Sequence, residues 1–196
     1  MTFETFENIL SLLCTILGLL YSVFKYVETL KKVYRYLVVF FLANFLSEYY
    51  WTIYVLVMHS YPDVSEFVAY LGWNVGFLFL CLAVFFSRHE ESRNYFHPIM
   101  LLPILINVPQ FILYISYGGV LNNIWEVGLT TITIVLCLQE LAYYWKDRQD
   151  IKRFPWFFLF VLLYLTAYYV MWTSSCFDWP GEPLNPYFTV LFSVLY

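Results

Sequence analysis

The chain has 196 residues, 62% of them hydrophobic and 23% aromatic, with only 12% charged and a net charge of −4. A soluble domain of this length cannot hide so much apolar surface, whereas lipid solvates it, so the composition predicts an all-α, polytopic transmembrane helical bundle. The acidic balance, with basic residues confined to short connections, leaves no electrostatic footprint for nucleic acid.

Seven apolar runs are long enough, or begin well enough, to be spans: 6–26, 33–58, 64–87, 97–117, 119–145, 154–176 and 186–196. A full crossing needs roughly 20 residues, and the seventh run offers 11 before Tyr196. The expectation is a single transmembrane domain over residues 1–196, a seven-helix bundle cut within its last span, from a longer product. Glu4 and Glu7 precede the first run, with no basic n-region and no small-residue cleavage site. That run is therefore a permanent span rather than a signal peptide.

The ten basic residues are Lys25, Lys31, Lys32, Arg35, Arg88, Arg93, Lys146, Arg148, Lys152 and Arg153. All fall in the connections after spans one, three and five, and none after spans two, four and six. The positive-inside rule makes the first set of connections cytoplasmic and the N-terminus extracytoplasmic. The chain is expected to be integral to a membrane, with the lipid bilayer as the first partner.

Polar groups inside the spans come next in chain order. Span two carries Glu48 close to its middle, with Asn44, Trp51 and Thr52 on the same face. A carboxylate in hydrocarbon is costly, on the order of 2.5–3.5 kcal/mol even on a lenient insertion scale, so it must face other helices or water. No Lys or Arg lies deep within a span. Its expected partners are therefore Trp51 and Thr52 on its own helix, or Asn74, Asn107 or Glu126 on others.

Span three holds Gly72, Trp73, Asn74 and Gly76, and the spacing of its glycines permits close helix contact. Span four is interrupted by Pro98, Pro103 and Pro109, with Asn107 and Gln110 on one face. Those amides either line a cavity or bond to neighbouring helices. Span five presents a seam of Asn122, Glu126, Thr130, Thr133, Cys137 and Glu140. The seam suits either a cavity wall or interhelical glue, and Glu140 either snorkels or pairs with Lys146.

Span six adds Tyr164, Tyr168, Trp172 and Ser175. The stretch after it, "MWTSSCFDWPGEPLNPYF", is a rigid acidic connector with Asp178 and no basic residue. It is either a structural cap or a lid over a pocket that opens outward.

No catalytic motif is present. There is no HExxH, no GxSxG and no P-loop, and the three His cannot converge across the membrane. Cys14, Cys81, Cys137 and Cys176 form no CxxC; Cys176 alone is near the oxidising side, with no obvious partner there, and the other three read as small core residues. No metal or other cofactor is expected, and any enzymatic activity would belong to a further C-terminal domain.

"NVPQ" at Asn107–Gln110 resembles the signature of PQ-loop transporters, although that family carries it twice and this chain once. A wider resemblance spans most of residues 40–190. "NFLSEYYWTIYVLV", "YPDVSEFVAYLGWNVGF", "HPIMLLPILINVPQFILY", "GGVLNNIWE" and "MWTSSCFDWP" together resemble the N-terminal membrane input region of bacterial signalling proteins. That resemblance implies a sensor that passes its state to a cytoplasmic output domain, a diguanylate cyclase, phosphodiesterase or histidine kinase, or to a homodimer.

The resulting expectation is an outward-facing ligand cavity lined by Glu48, Trp51, Trp73, Asn74, Asn107, Gln110, Glu126 and Trp172, with Asp178 in the covering loop. The ligand is an unidentified small molecule. A small-solute transporter using the same seam is the alternative, and a lipid-modifying membrane enzyme a third reading.

Overall fold

The computed structural model describes residues 3–59, 68–115, 120–147 and 155–176. Among them are six α-helices: α1 Phe3–Thr29, α2 Lys32–Met58, α3 Val68–Ser87, α4 Leu102–Ile115, α5 Val120–Asp147 and α6 Trp156–Ser175. Two 3₁₀ turns, Glu91–Asn94 and Pro98–Leu101, lead into α4. Each helix, α4 together with its leading turn, is long and apolar enough to cross a membrane. The described spans thus number six where seven were expected; the seventh run, 186–196, and the loop containing Asp178 lie outside the described residues.

The connections force neighbouring helices to run antiparallel. Leu30 ends α1 with φ 53°, its N–H bonded to Tyr26 O at 2.8 Å, and α2 begins two residues later. A non-glycine residue in this left-handed region costs on the order of 1–2 kcal/mol, which the packing on either side offsets. His59 ends α2 in the same way, at φ 54°. In span four the sequence's prolines act locally. Pro98 opens the second 3₁₀ turn, Pro103 lies in the first turn of α4, and Pro109 is accommodated inside the helix.

Small residues set the tightest contacts. Gly72 and Gly76 put α3 directly against α2: a Cβ on Gly72 would overlap Ser47 Oγ and lie 3.1 Å from Ala43 O, and one on Gly76 would lie 2.5 Å from Asn44 Nδ2. The glycine spacing seen in the sequence therefore serves helix contact. On the other side of α2, Gly18 of α1 receives the Phe41 ring.

The main core joins α2, α3, α5 and α6 through Phe40, Phe77, Leu80, Val84, Cys137, Leu141, Phe158, Val161, Leu165 and Tyr168. Outward-facing apolar side chains such as Leu17, Leu105 and Ile132 remain exposed, as a lipid-facing surface requires. Cys14 also faces outward and is the one cysteine that departs from the expected core placement; Cys81, Cys137 and Cys176 are buried.

The basic residues of the described connections gather at one end of the bundle, because alternate helices bring those connections together. Lys32 Nζ lies 6.0 Å from the Phe86 ring and Lys146 Nζ 4.9 Å from the Tyr95 ring.

Candidate functional site: polar clusters inside the spans

Glu48 is the most enclosed carboxyl among the described residues, at 0% exposure. Ten residues separate it from the end of α2 at Met58, about 15 Å at the helical rise. Trp73 of α3 donates its indole N–H to Oε1 at 3.0 Å. The Trp73 ring is held in turn by Trp51, with centroids 5.7 Å apart, and by the edge of Tyr70 at 5.4 Å. From the other side, Ser11 of α1 faces the same carboxyl without closing a hydrogen bond. Glu48 Oε2, Ser11 Oγ and Thr52 Oγ1 are all buried and have no hydrogen-bond partner among the described residues. Three orphaned oxygens in one interior region are unusual, since buried polar groups are nearly always paired.

Asn74, the next residue on α3, turns the other way. Its amide donates to Asn122 Oδ1 of α5, and its carbonyl accepts from Trp125 Nε1 at 3.4 Å. Two consecutive residues of α3 therefore carry polar contacts to α2 and to α5. Further round the bundle, Tyr168 of α6 donates to Glu126 Oε1 at 2.7 Å, and Trp172 stacks edge-on against Tyr168. Asn107 of α4 donates to Thr131 of α5, while Gln110 donates to Thr173 of α6 at 2.9 Å, where Tyr114 also bonds. The amides of span four thus bond to neighbouring helices. They also border a mainly apolar groove of about 720 Å³ between α4, α5 and α6.

The expected lining residues accordingly fall into groups. Glu48, Trp51 and Trp73 meet at α2–α3, Asn74 reaches α5, Glu126 and Trp172 flank Tyr168, and Asn107 and Gln110 face the α4 groove. Asp178 lies outside the described residues. The partners expected for Glu48 differ from those found. Asn74, Asn107 and Glu126 point elsewhere, Thr52 is adjacent but unbonded, and the contacts come from Trp73 and Ser11.

Ser11 belongs to a stripe that hydropathy alone conceals: Asn8, Ser11, Thr15 and Ser22 of α1 are all buried, at spacings of 3, 4 and 7. That helical periodicity was the available signal.

The α5 seam is buried at Thr130, Thr133, Cys137 and Glu140 and half-buried at Asn122 and Glu126. Thr133 donates to Leu129 O at 2.7 Å, and Thr130 donates to Glu126 O at 2.8 Å while sharing a hydrogen bond with the Tyr169 hydroxyl of α6. The seam is satisfied by local backbone acceptors and by contacts to neighbouring helices.

At the basic end Glu140 neither snorkels nor pairs with Lys146. It is 2% exposed and receives the His89 backbone N–H, the His89 ring and the Ser92 hydroxyl. Beside it, Arg88 donates to Gln139 Oε1 at 2.5 Å, and Gln139 Nε2 donates to the carbonyls of Arg93 and Tyr95 at 3.1 and 2.6 Å. The 88–95 connection is thereby fastened onto α5. Lys146 takes the Tyr95 ring instead.

These contacts define a polytopic helical membrane protein with six described spans, polar where its helices meet and apolar where they face lipid. The chain matches no family model, no curated protein and no solved structure.

Proposed function

We propose that this domain is a membrane-embedded sensor, oriented with its N-terminus outside, that responds at the half of the bundle remote from the basic connections. One observation carries the reading: the polar helix contacts are unevenly placed along the bundle. Glu48–Trp73, Asn74–Asn122, Glu126–Tyr168 and Gln110–Thr173 occupy one half. The other half is filled mainly by apolar side chains, Phe40, Leu80, Val84, Cys137, Val161 and Leu165, before the Glu140 cluster is reached, with a groove of about 370 Å³ beside them between α1, α2 and α6. A transporter needs its site to open alternately to both sides. A receptor needs only a polar region reachable from one side and two packings of the bundle to choose between.

The wider sequence resemblance to signalling input regions points the same way. Two-sided labelling of a cysteine placed at Thr133, one turn before Cys137 of the apolar plug, tests the reading. The sensor account expects no reaction from either side.

Orientation has its own test. A topology reporter fused after Asp147 is expected to score cytoplasmic and one after Asn123 extracytoplasmic. Reversed results at both sites would invert the assignment.

A further inference from the structure

We propose that Glu48 is a proton-binding site, held as a neutral carboxylic acid between Trp73 of α3 and Ser11 of α1, and that the proton is the ligand sensed there. The second half of this statement rests on the sensor reading; the first stands on geometry alone.

An ionised carboxylate offers about four acceptor sites. The pocket supplies one closed donor, the Trp73 indole N–H on Oε1. The remaining oxygen has no donor, and the nearest polar neighbours, Ser11 and Thr52, are orphaned as well. Nothing charged among the described residues offsets the carboxyl. The side chains that face it from α1 are uncharged, Ser11 with Asn8 and Thr15 along the same stripe. From α3 the neighbours are Trp73 and, behind it, the Tyr70 ring, the one titratable group in that shell. Its own helix contributes Asn44, Ser47 and Thr52, and no ion pair forms with it among the described residues.

At 0% exposure the Glu48 side chain is closed to bulk solvent. A metal ion is disfavoured because among the described residues no three His, Cys, Asp or Glu side chains gather. A single hydrogen on Oε2 removes a charge that no cation among the described residues offsets and makes that oxygen a donor on the side where Ser11 stands. The O–H bond of the acid stays intact, and the proton comes from the medium. Thr52, one turn further along α2 towards Met58, is the third orphan. Protonated, Glu48 ties α1, α2 and α3 together through Ser11 and Trp73. Deprotonated, it leaves a charge that those contacts cannot hold.

Infrared difference spectroscopy of the full chain in lipid, between neutral and alkaline pH, tests this directly. The expected result is a protonated-carboxyl C=O band at neutral pH that shifts down in D₂O, bleaches reversibly at alkaline pH, is lost in Glu48→Gln and persists in Glu126→Gln. Ser11→Ala keeps Glu48 in place and moves the band to higher wavenumber, because the acid loses its acceptor. That variant serves should Glu48→Gln not fold.

A missing band, or one lost in Glu126→Gln and insensitive to Ser11→Ala, overturns the proton site and leaves the sensor reading to its own labelling test. A band that behaves as expected, in a protein whose bundle packing does not change with pH, keeps the proton site and removes the proton as the sensed ligand.

Discussion

Gly72→Val is expected to abolish a stable bundle. The β-carbon alone would overlap Ser47 Oγ and fall 3.1 Å from the Ala43 carbonyl. The Ser47 hydroxyl could rotate, but it would surrender its 3.0 Å bond to Ala43 O, and the carbonyl belongs to the backbone of α2 and cannot move aside. Valine then adds two methyl groups to a contact with no free volume. Overpacking of this kind typically costs about 1–3 kcal/mol, and parting α2 from α3 would also loosen the Trp73 bond to Glu48. Thermal unfolding in detergent, read by size-exclusion recovery, should show loss of the monodisperse species. Gly128→Ala is the matched control. Nothing lies within 4 Å of a Cβ there, so alanine should be neutral or gain up to about 1 kcal/mol in helix propensity. Equal outcomes for the two substitutions would mean that α2 and α3 do not meet as described.

Glu140→Leu should be the most damaging change at the basic end. It leaves the His89 N–H and ring and the Ser92 hydroxyl without their shared acceptor. Removing the acceptor leaves buried donors unpaired, at about 1–3 kcal/mol, while Glu140→Gln, which keeps one acceptor oxygen, should cost less. The damage is local in the first instance. Hydrogen exchange should rise across residues 88–97, which the Glu140 and Gln139 contacts fasten to α5, before the melting temperature of the remaining helices falls. Unchanged exchange in that segment would contradict the fastening role.

The spans and the one-ended distribution of basic residues were legible because hydropathy and charge are local properties of the chain. The close approach at Gly72 and Gly76 was legible for the same reason, as small residues spaced one helical turn apart. What the sequence withheld was which helix stands beside which, and how each is rotated. α6 is apolar nearly all round, so no amphipathic face fixes its rotation. Asn74 could have met Glu48; the rotation of α3 gives Trp73 to α2 and Asn74 to α5. Glu140 looked solvent-bound from its place near a basic loop, and it is buried because the 88–95 connection folds back over α5. The α1 stripe of Asn8, Ser11, Thr15 and Ser22 was open to detection by periodicity, but its small polar residues barely disturb the hydropathy of the span.

The central claim is that the polar half of the bundle is separated by an apolar plug from the side carrying the basic residues. Thr133 is 2% exposed and lies on α5 four residues before Cys137, which belongs to that plug. In a cysteine-depleted chain, Thr133→Cys should resist a membrane-impermeant thiol reagent in both right-side-out and inverted vesicles, while Leu121→Cys, on an exposed position at the opposite end, should react from its own side only. Labelling of Thr133→Cys from the side bearing the basic residues would show an aqueous path through the plug and contradict the account in favour of transport.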